Sequence, residues 1–223
     1  MLLASLLISV PASAQDYPAP PDYKNIKKYI KKKDSLFNYT VLKNKFLSGD
    51  SLSLEQMRLL YYGTVFQDDY HPYGREDMKQ IKILLSKDSL SATDIELIFQ
   101  QTDTILQKNP VHLNALYFRS IAAYYSNDRT LFQKEQRRLF MLIAAILSSG
   151  TGKDMDEPIY VISTDHEYFI MWEVLKVEPV SQRLIHHKKR NLDHFELKAG
   201  HPDYKELYFD ITPAIEYLKG FLE

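Results

Sequence analysis

The phrase Asp-Ser-Leu-Ser occurs twice, at Asp50-Ser51-Leu52-Ser53 and at Asp88-Ser89-Leu90-Ser91, each time just ahead of an amphipathic run. A hydroxyl side chain directly before apolar residues at helical spacing accepts a hydrogen bond from one of the first free backbone N–H groups, so both phrases mark helix starts. Gln56 and Asp94, three residues after Ser53 and Ser91, can reach back to close a capping box. Leu52 and Leu90 can staple onto Met57 and Ile95. The spacing of the two phrases is close to the period of helical-hairpin repeats, which makes the N-terminal two thirds a set of packed helices.

Apolar periodicity extends this reading in both directions. Tyr23, Ile26, Tyr29 and Ile30 fit a short helix whose lysines face solvent, and Phe37, Val41, Leu42 and Phe46 fit a second that stops at Gly49. Further helices are expected from Leu54 to Val65, over Glu76–Ser86 and over Ser91–Lys108, the last ended by Asn109-Pro110. Leu113–Tyr125 and Thr130–Ser149 form a hairpin across Ser126-Asn127-Asp128, and this unit resembles a degenerate tetratricopeptide repeat with small Ser120 at the close approach.

Past Gly150 the pattern changes to β-rich runs. A strand is expected over Ile159–Ser163, then a short helix from Thr164 to about Leu175, with Thr164 and Glu167 spaced as a capping box. Strands follow over Gln182–His187, Asp193–Lys198 and Glu206–Ile211, and Thr212-Pro213 opens a closing helix with Thr212 as its N-cap. The expected fold class is α+β: a helical-hairpin region, 22–149, packed on a small, mainly antiparallel sheet with two helices in 150–223.

The first residues give an address. An apolar run from Leu2 to Val10 precedes Ala12-Ser13-Ala14, the small-x-small pattern of signal-peptidase cleavage, so residues 1–14 are expected to be a signal peptide and the protein periplasmic or secreted. Residues 15–21, with Pro18, Pro20 and Pro21, form an expected flexible lead-in. No later apolar stretch reaches the roughly 18 residues that a membrane span needs. The chain has no cysteine, which excludes disulfides, thiolate metal sites and a lipid-anchoring cysteine. Its 28 basic and 29 acidic side chains give no argument for nucleic acid as a partner.

Chemistry-bearing constellations are few. Ser149-Gly150-Thr151-Gly152-Lys153 imitates a phosphate loop but lies between a helix and a strand in the wrong order, and Gly150 reads better as a helix C-cap. His186, His187 and His194 flank one hairpin, yet alternation separates His186 from His187, which reads as solvent-facing strand histidines and not a metal site. His166 and Glu167 could act as acid and base, but nothing adjacent supplies a nucleophile. Tyr61, Tyr62, Tyr70 and Tyr73 crowd one helix end and its loop, where aromatic bodies with polar tips suit a seam or a partner surface.

Five stretches together carry a resemblance: Leu60-Tyr61-Tyr62-Gly63 with Phe66 and Tyr70-x-Pro72-Tyr73-Gly74; Ile146-Leu147-Ser148-Ser149-Gly150-x-Gly152; Val161-Ile162; His166-Glu167-Tyr168; and Leu207-Tyr208-Phe209-Asp210-Ile211. The chain resembles domain of unknown function 4919, a bacterial family of small exported proteins. The resemblance implies fold and address and no catalytic residue, and it makes Tyr61–Gly74, Ser149–Gly152 and His166–Tyr168 the places to look for a shared surface. Asp34-Ser35-Leu36, Asp50-Ser51-Leu52, Asp88-Ser89-Leu90 and Asp103-Thr104-Ile105 also resemble the acceptors of a bacterial protein O-glycosylation system. The reading at this point is an exported, non-enzymatic interaction or scaffold module that binds a protein or peptide through Tyr62, Tyr70, Tyr73, His166, Glu167 and Tyr168, without metal or cofactor. The alternative is an envelope hydrolase using His166 with a nearby carboxylate.

Overall fold

Both capping boxes form. Ser53 Oγ accepts from the Gln56 N–H at 3.2 Å while Gln56 Oε1 accepts from the Ser53 N–H at 3.0 Å, and Ser91 and Asp94 repeat the same two bonds at the same lengths. The computed structural model describes residues 19–73 and 78–222. The expected signal peptide, the start of the lead-in and the expected helix start at Glu76 lie outside the described residues.

Among the described residues seven α-helices come first: α1 (Tyr23–Ile30), α2 (Tyr39–Ser48), α3 (Leu54–Gly63), α4 (Lys79–Leu85), α5 (Ala92–Lys108), α6 (Leu113–Tyr125) and α7 (Arg129–Leu147). Gly49 ends α2 at φ 89°, a left-handed turn that glycine takes without penalty. The end of the lead-in is held in place: the Ala19 N–H donates to the Ser148 carbonyl, Arg58 donates to the Ala19 carbonyl, and Pro21 is buried.

Helix α3 is the hub, packed by α1, α2 and α7. Its Met57, Leu60, Tyr61 and Tyr62 are wholly buried, because neighbours cover more than the one face of an ordinary amphipathic helix. Helices α5, α6 and α7 are tied by buried charge. Glu135 pairs with Arg138 at 2.8 Å and with Arg119 at 3.0 Å, Arg119 also takes Asp103, and Arg138 lies over the Phe46 ring. Ions this deeply buried persist only because each is paired.

The C-terminal part holds β1 (Ile159–Tyr160), α8 (Thr164–Phe169), a π-helical turn (Ile170–Leu175), β2 (Pro179–His187), β3 (Arg190–Leu197), β4 (Glu206–Asp210) and α9 (Thr212–Leu222). The four strands lie in the order β1-β4-β3-β2; β1 runs parallel to β4 and the other pairs are antiparallel. The fold is α+β, with one continuous core running from Ile26 in α1 to Phe209 in β4. Among the described residues no helix is long and apolar enough to cross a membrane.

Several local expectations are corrected. Strand β1 stops at Tyr160, because the Ile162 N–H turns away from the sheet to the Tyr61 hydroxyl. The Thr164–Glu167 capping box does not form: Ser163 is the residue before α8, and Glu167 is buried instead of reaching back. Thr212 begins α9 but turns its hydroxyl to the Asn191 N–H of β3. Gly150 is no left-handed cap; a Cβ there would stand 1.8 Å from the Pro158 carbonyl oxygen, so close backbone approach requires the glycine. His194 is buried and not solvent-facing: it stacks on Tyr208, accepts from Arg183 Nε at 2.8 Å and meets Glu206 at 2.8 Å.

Candidate functional site

The tyrosines at the end of α3 and in the following loop reach across to the C-terminal part. Tyr62 donates to the Tyr160 carbonyl at 3.2 Å, Tyr70 to the Ile162 carbonyl at 2.7 Å and Tyr73 to the Ala214 carbonyl at 3.0 Å. Tyr61 accepts from the Ile162 N–H at 3.3 Å and lies 2.8 Å from His166 Nδ1. Ser163 adds a bond to the Pro72 carbonyl. A free carbonyl at the end of a short strand is costly when buried, and a phenol satisfies it while filling space with an apolar ring. Burial keeps the Tyr61 and Tyr62 hydroxyls protonated well above the ordinary phenol range.

Ser149 completes the seam, accepting from the Tyr160 N–H and donating to the Ile146 carbonyl. The three motif clusters marked for a shared surface therefore meet mostly inside the protein. They hold α3, α7 and α8 against β1.

Burial shifts both members of the histidine–glutamate pair away from their ordinary values. Burial, reinforced by neighbouring His112, lowers the His166 ring to about 3, and Tyr61 occupies its Nδ1. A proton shuttle works best with a value near ambient pH. The Glu167 side chain is wholly enclosed, and neither oxygen receives a bond from an N–H or O–H group. Burial first, and the Asp193 carboxylate next, push its carboxyl well up. The raised Glu167 carboxyl stays neutral beside Asp193. Burial also raises Asp193, while bonds from Gln182 and Glu167 counter the shift. Gln182 donates to Asp193 at 2.7 Å and accepts from the Tyr168 hydroxyl at 2.7 Å, so a polar chain runs from the interior to the surface.

Tyr168, at the outer end of that chain, lines a groove of about 800 Å³ between α4 and α8 with its π turn. Lys79, Lys82 and Ile83 form one wall; Asp165, Tyr168 and Trp172 form the other. Trp172 is 51 % exposed and packs beside Tyr168 with ring centres 5.1 Å apart, and Ile83 opposite is 56 % exposed. The π turn, a form frequent at functional sites, carries the tryptophan outward.

Of the residues singled out beforehand, Tyr62 and Glu167 are internal, Tyr73 bridges to α9, and Tyr168 reaches the groove. Tyr70 and His166 border a separate cavity of about 430 Å³ with Asp68, Asp69 and His71. Sequence reasoning missed Trp172, Gln182 and Asp193. Trp172 follows Tyr168 at helical i,i+4 spacing and could have been found that way, whereas the Glu167–Asp193 pair depends on tertiary contact. Among the described residues no three histidine or acidic side chains gather to hold a metal ion.

No curated protein and no solved structure matches this chain. The family model described as domain of unknown function (DUF4919) matches residues 24–219, from α1 into α9 and across every motif at the seam. The chain belongs to the DUF4919 family.

Proposed function

We propose that this protein is an exported, non-enzymatic binding module of the cell envelope, whose working surface is the groove between α4 and α8. The observation that carries the reading is the way the fold holds His166 and Glu167. His166 is held by Tyr61 and kept neutral although it borders the cavity with Asp68, Asp69 and His71, Glu167 is enclosed beside Asp193 with its carboxyl pushed up, and both link elements of the fold. The alternative, a hydrolase using His166 with a nearby carboxylate, requires a proton to move at an imidazole held near pKa 3. The groove suits a protein or peptide segment: an exposed indole and an exposed isoleucine give apolar purchase, with lysines on one wall and Asp165 on the other.

Export rests on the Ala12-Ser13-Ala14 pattern and is tested by N-terminal sequencing of native protein, with Gln15 expected first. Intact mass of the same material tests the glycan acceptors. Ser51 and Ser89 are exposed before helix starts and should be modified ahead of Thr104, whose hydroxyl is engaged by the Gln100 carbonyl inside α5. The groove itself is tested by crosslinking in the native envelope through a photoreactive residue at Trp172. Adducts lost on Ile83→Asp support the reading, and adducts unchanged by it oppose the reading.

A further inference from the structure

A third concavity, about 460 Å³, opens between α1, the turn after α3 and the start of α9, and it shares no lining residue with the groove between α4 and α8. Its wall is aromatic: Tyr23, Phe66, Tyr70 and Tyr217, all half-buried with surface left open. The rings form two edge-to-face pairs, Tyr23 with Phe66 at 6.2 Å and 76°, and Tyr70 with Tyr217 at 5.8 Å and 85°. Perpendicular rings point their faces in different directions, so the four rings do not form one flat wall. Among the described residues the only charged side chain in the lining is the exposed Glu216 carboxylate, near enough to Tyr70 to help raise its phenol. Phe66 already has a cation beside it: the Lys27 ammonium, which does not line the cavity, lies 5.2 Å from its ring centre.

Aromatic faces with one carboxylate repel anions and offer few donors to a neutral sugar. They attract a weakly hydrated cation whose charge is spread over methyl groups, which gives up little hydration on entering. A compact primary ammonium sheds more water for the same ring contacts. We propose that this cavity is a binding site for a quaternary ammonium group, carried either by a small soluble molecule or by a lipid headgroup. Two edge-to-face pairs supply the cage, Glu216 supplies the counter-charge, and Lys27 at Phe66 weakens binding by like-charge repulsion.

The test uses the full chain and choline as probe, with titration calorimetry. Choline should bind roughly tenfold or more tightly than its neutral isostere in which carbon replaces nitrogen, the ratio expected of a desolvated cation–π contact. Phe66→Leu and Tyr217→Leu keep apolar bulk but remove a π face, and each should lose about tenfold in choline affinity. Glu216→Gln, at an exposed position, should weaken binding without moving the melt, and Lys27→Met should strengthen it. Co-sedimentation with phosphatidylcholine vesicles but not phosphatidylglycerol vesicles assigns the cation to a lipid headgroup; choline binding without co-sedimentation assigns it to a soluble molecule. Equal affinity for choline and its neutral isostere overturns the proposal. So does absence of binding to both choline and phosphatidylcholine vesicles.

Discussion

The Tyr61 hydroxyl lies 2.8 Å from Nδ1 of His166, joining the hub helix α3 to α8 across the interior of the protein. The Ile162 N–H donates to the same phenol oxygen, and a neutral imidazole lets the phenol proton in turn bond to Nδ1. One bond thus ties α8 to the hub helix through His166.

Tyr61→Phe keeps the ring and removes that hydroxyl, leaving His166 Nδ1 and the Ile162 N–H without their partner. The variant should be less stable by about 1–3 kcal/mol, the cost of stranding a buried polar group. Denaturant unfolding monitored by circular dichroism measures it; an unchanged midpoint would mean that the bond contributes nothing.

The enclosed pair gives stability two opposite pH slopes. His166 is lowered to about 3 when folded, against 6.5 when free, so its contribution is complete above pH 6.5 and declines as the pH falls toward 3. Glu167 is raised when folded, so its contribution is complete below its free value of 4.5 and is lost as the pH rises through the folded value. Glu167→Gln replaces the titrating carboxyl with an amide that stays neutral at every pH. The difference in melting temperature, variant minus parent, should therefore grow as the pH rises above 4.5; a constant difference would show that Glu167 is ionised in the fold.

Gly150→Ala places a methyl group 1.8 Å from the Pro158 carbonyl oxygen, a contact that only backbone movement can relieve. The shift would disturb β1, whose Tyr160 N–H bonds to Ser149 next door. A loss of about 3 kcal/mol or more, or failure to accumulate as folded protein, is expected. A melt like that of the parent would place the glycine requirement elsewhere.

Ser53→Ala and Ser91→Ala each break one capping box and should each lower stability by about 1 kcal/mol. The two boxes stand at the starts of different helices, α3 and α5, so the double variant should show the sum of the single losses. Thermal melts of the three variants decide it, and a double variant no worse than either single one would contradict independence.

The helical part was legible because its signals are local. Ser53, Ser91, Gly49 and Asn109-Pro110 set helix ends through bonds spanning a few residues, and the structure keeps all four. The C-terminal part was read less fully, since its decisive contacts are distant in sequence. Glu167 has local capping spacing with Thr164, but burial opposite Asp193 overrides it. His194 alternates like a surface residue, yet Arg183, Glu206 and Tyr208 enclose it. Gly150 has the placement of a helix cap, while its real constraint is the carbonyl of Pro158. The tyrosines were visible as a cluster, and their acceptors, the carbonyls of Tyr160, Ile162 and Ala214, were not.

In the function proposed above, His166 holds the fold and the open groove carrying Trp172 does the binding. Crosslinked-partner yield per folded molecule, with the photoreactive group at exposed Ile83, tests it most directly on Trp172→Ala and His166→Asn. Trp172→Ala should melt within about 0.5 kcal/mol of the parent, as surface changes do, yet lose its crosslinked partner. His166→Asn should be destabilised by about 1–3 kcal/mol while its folded fraction still captures the partner. Normal capture by Trp172→Ala, together with a parent-like melt and abolished capture for His166→Asn, would place the working site at the histidine and contradict the account.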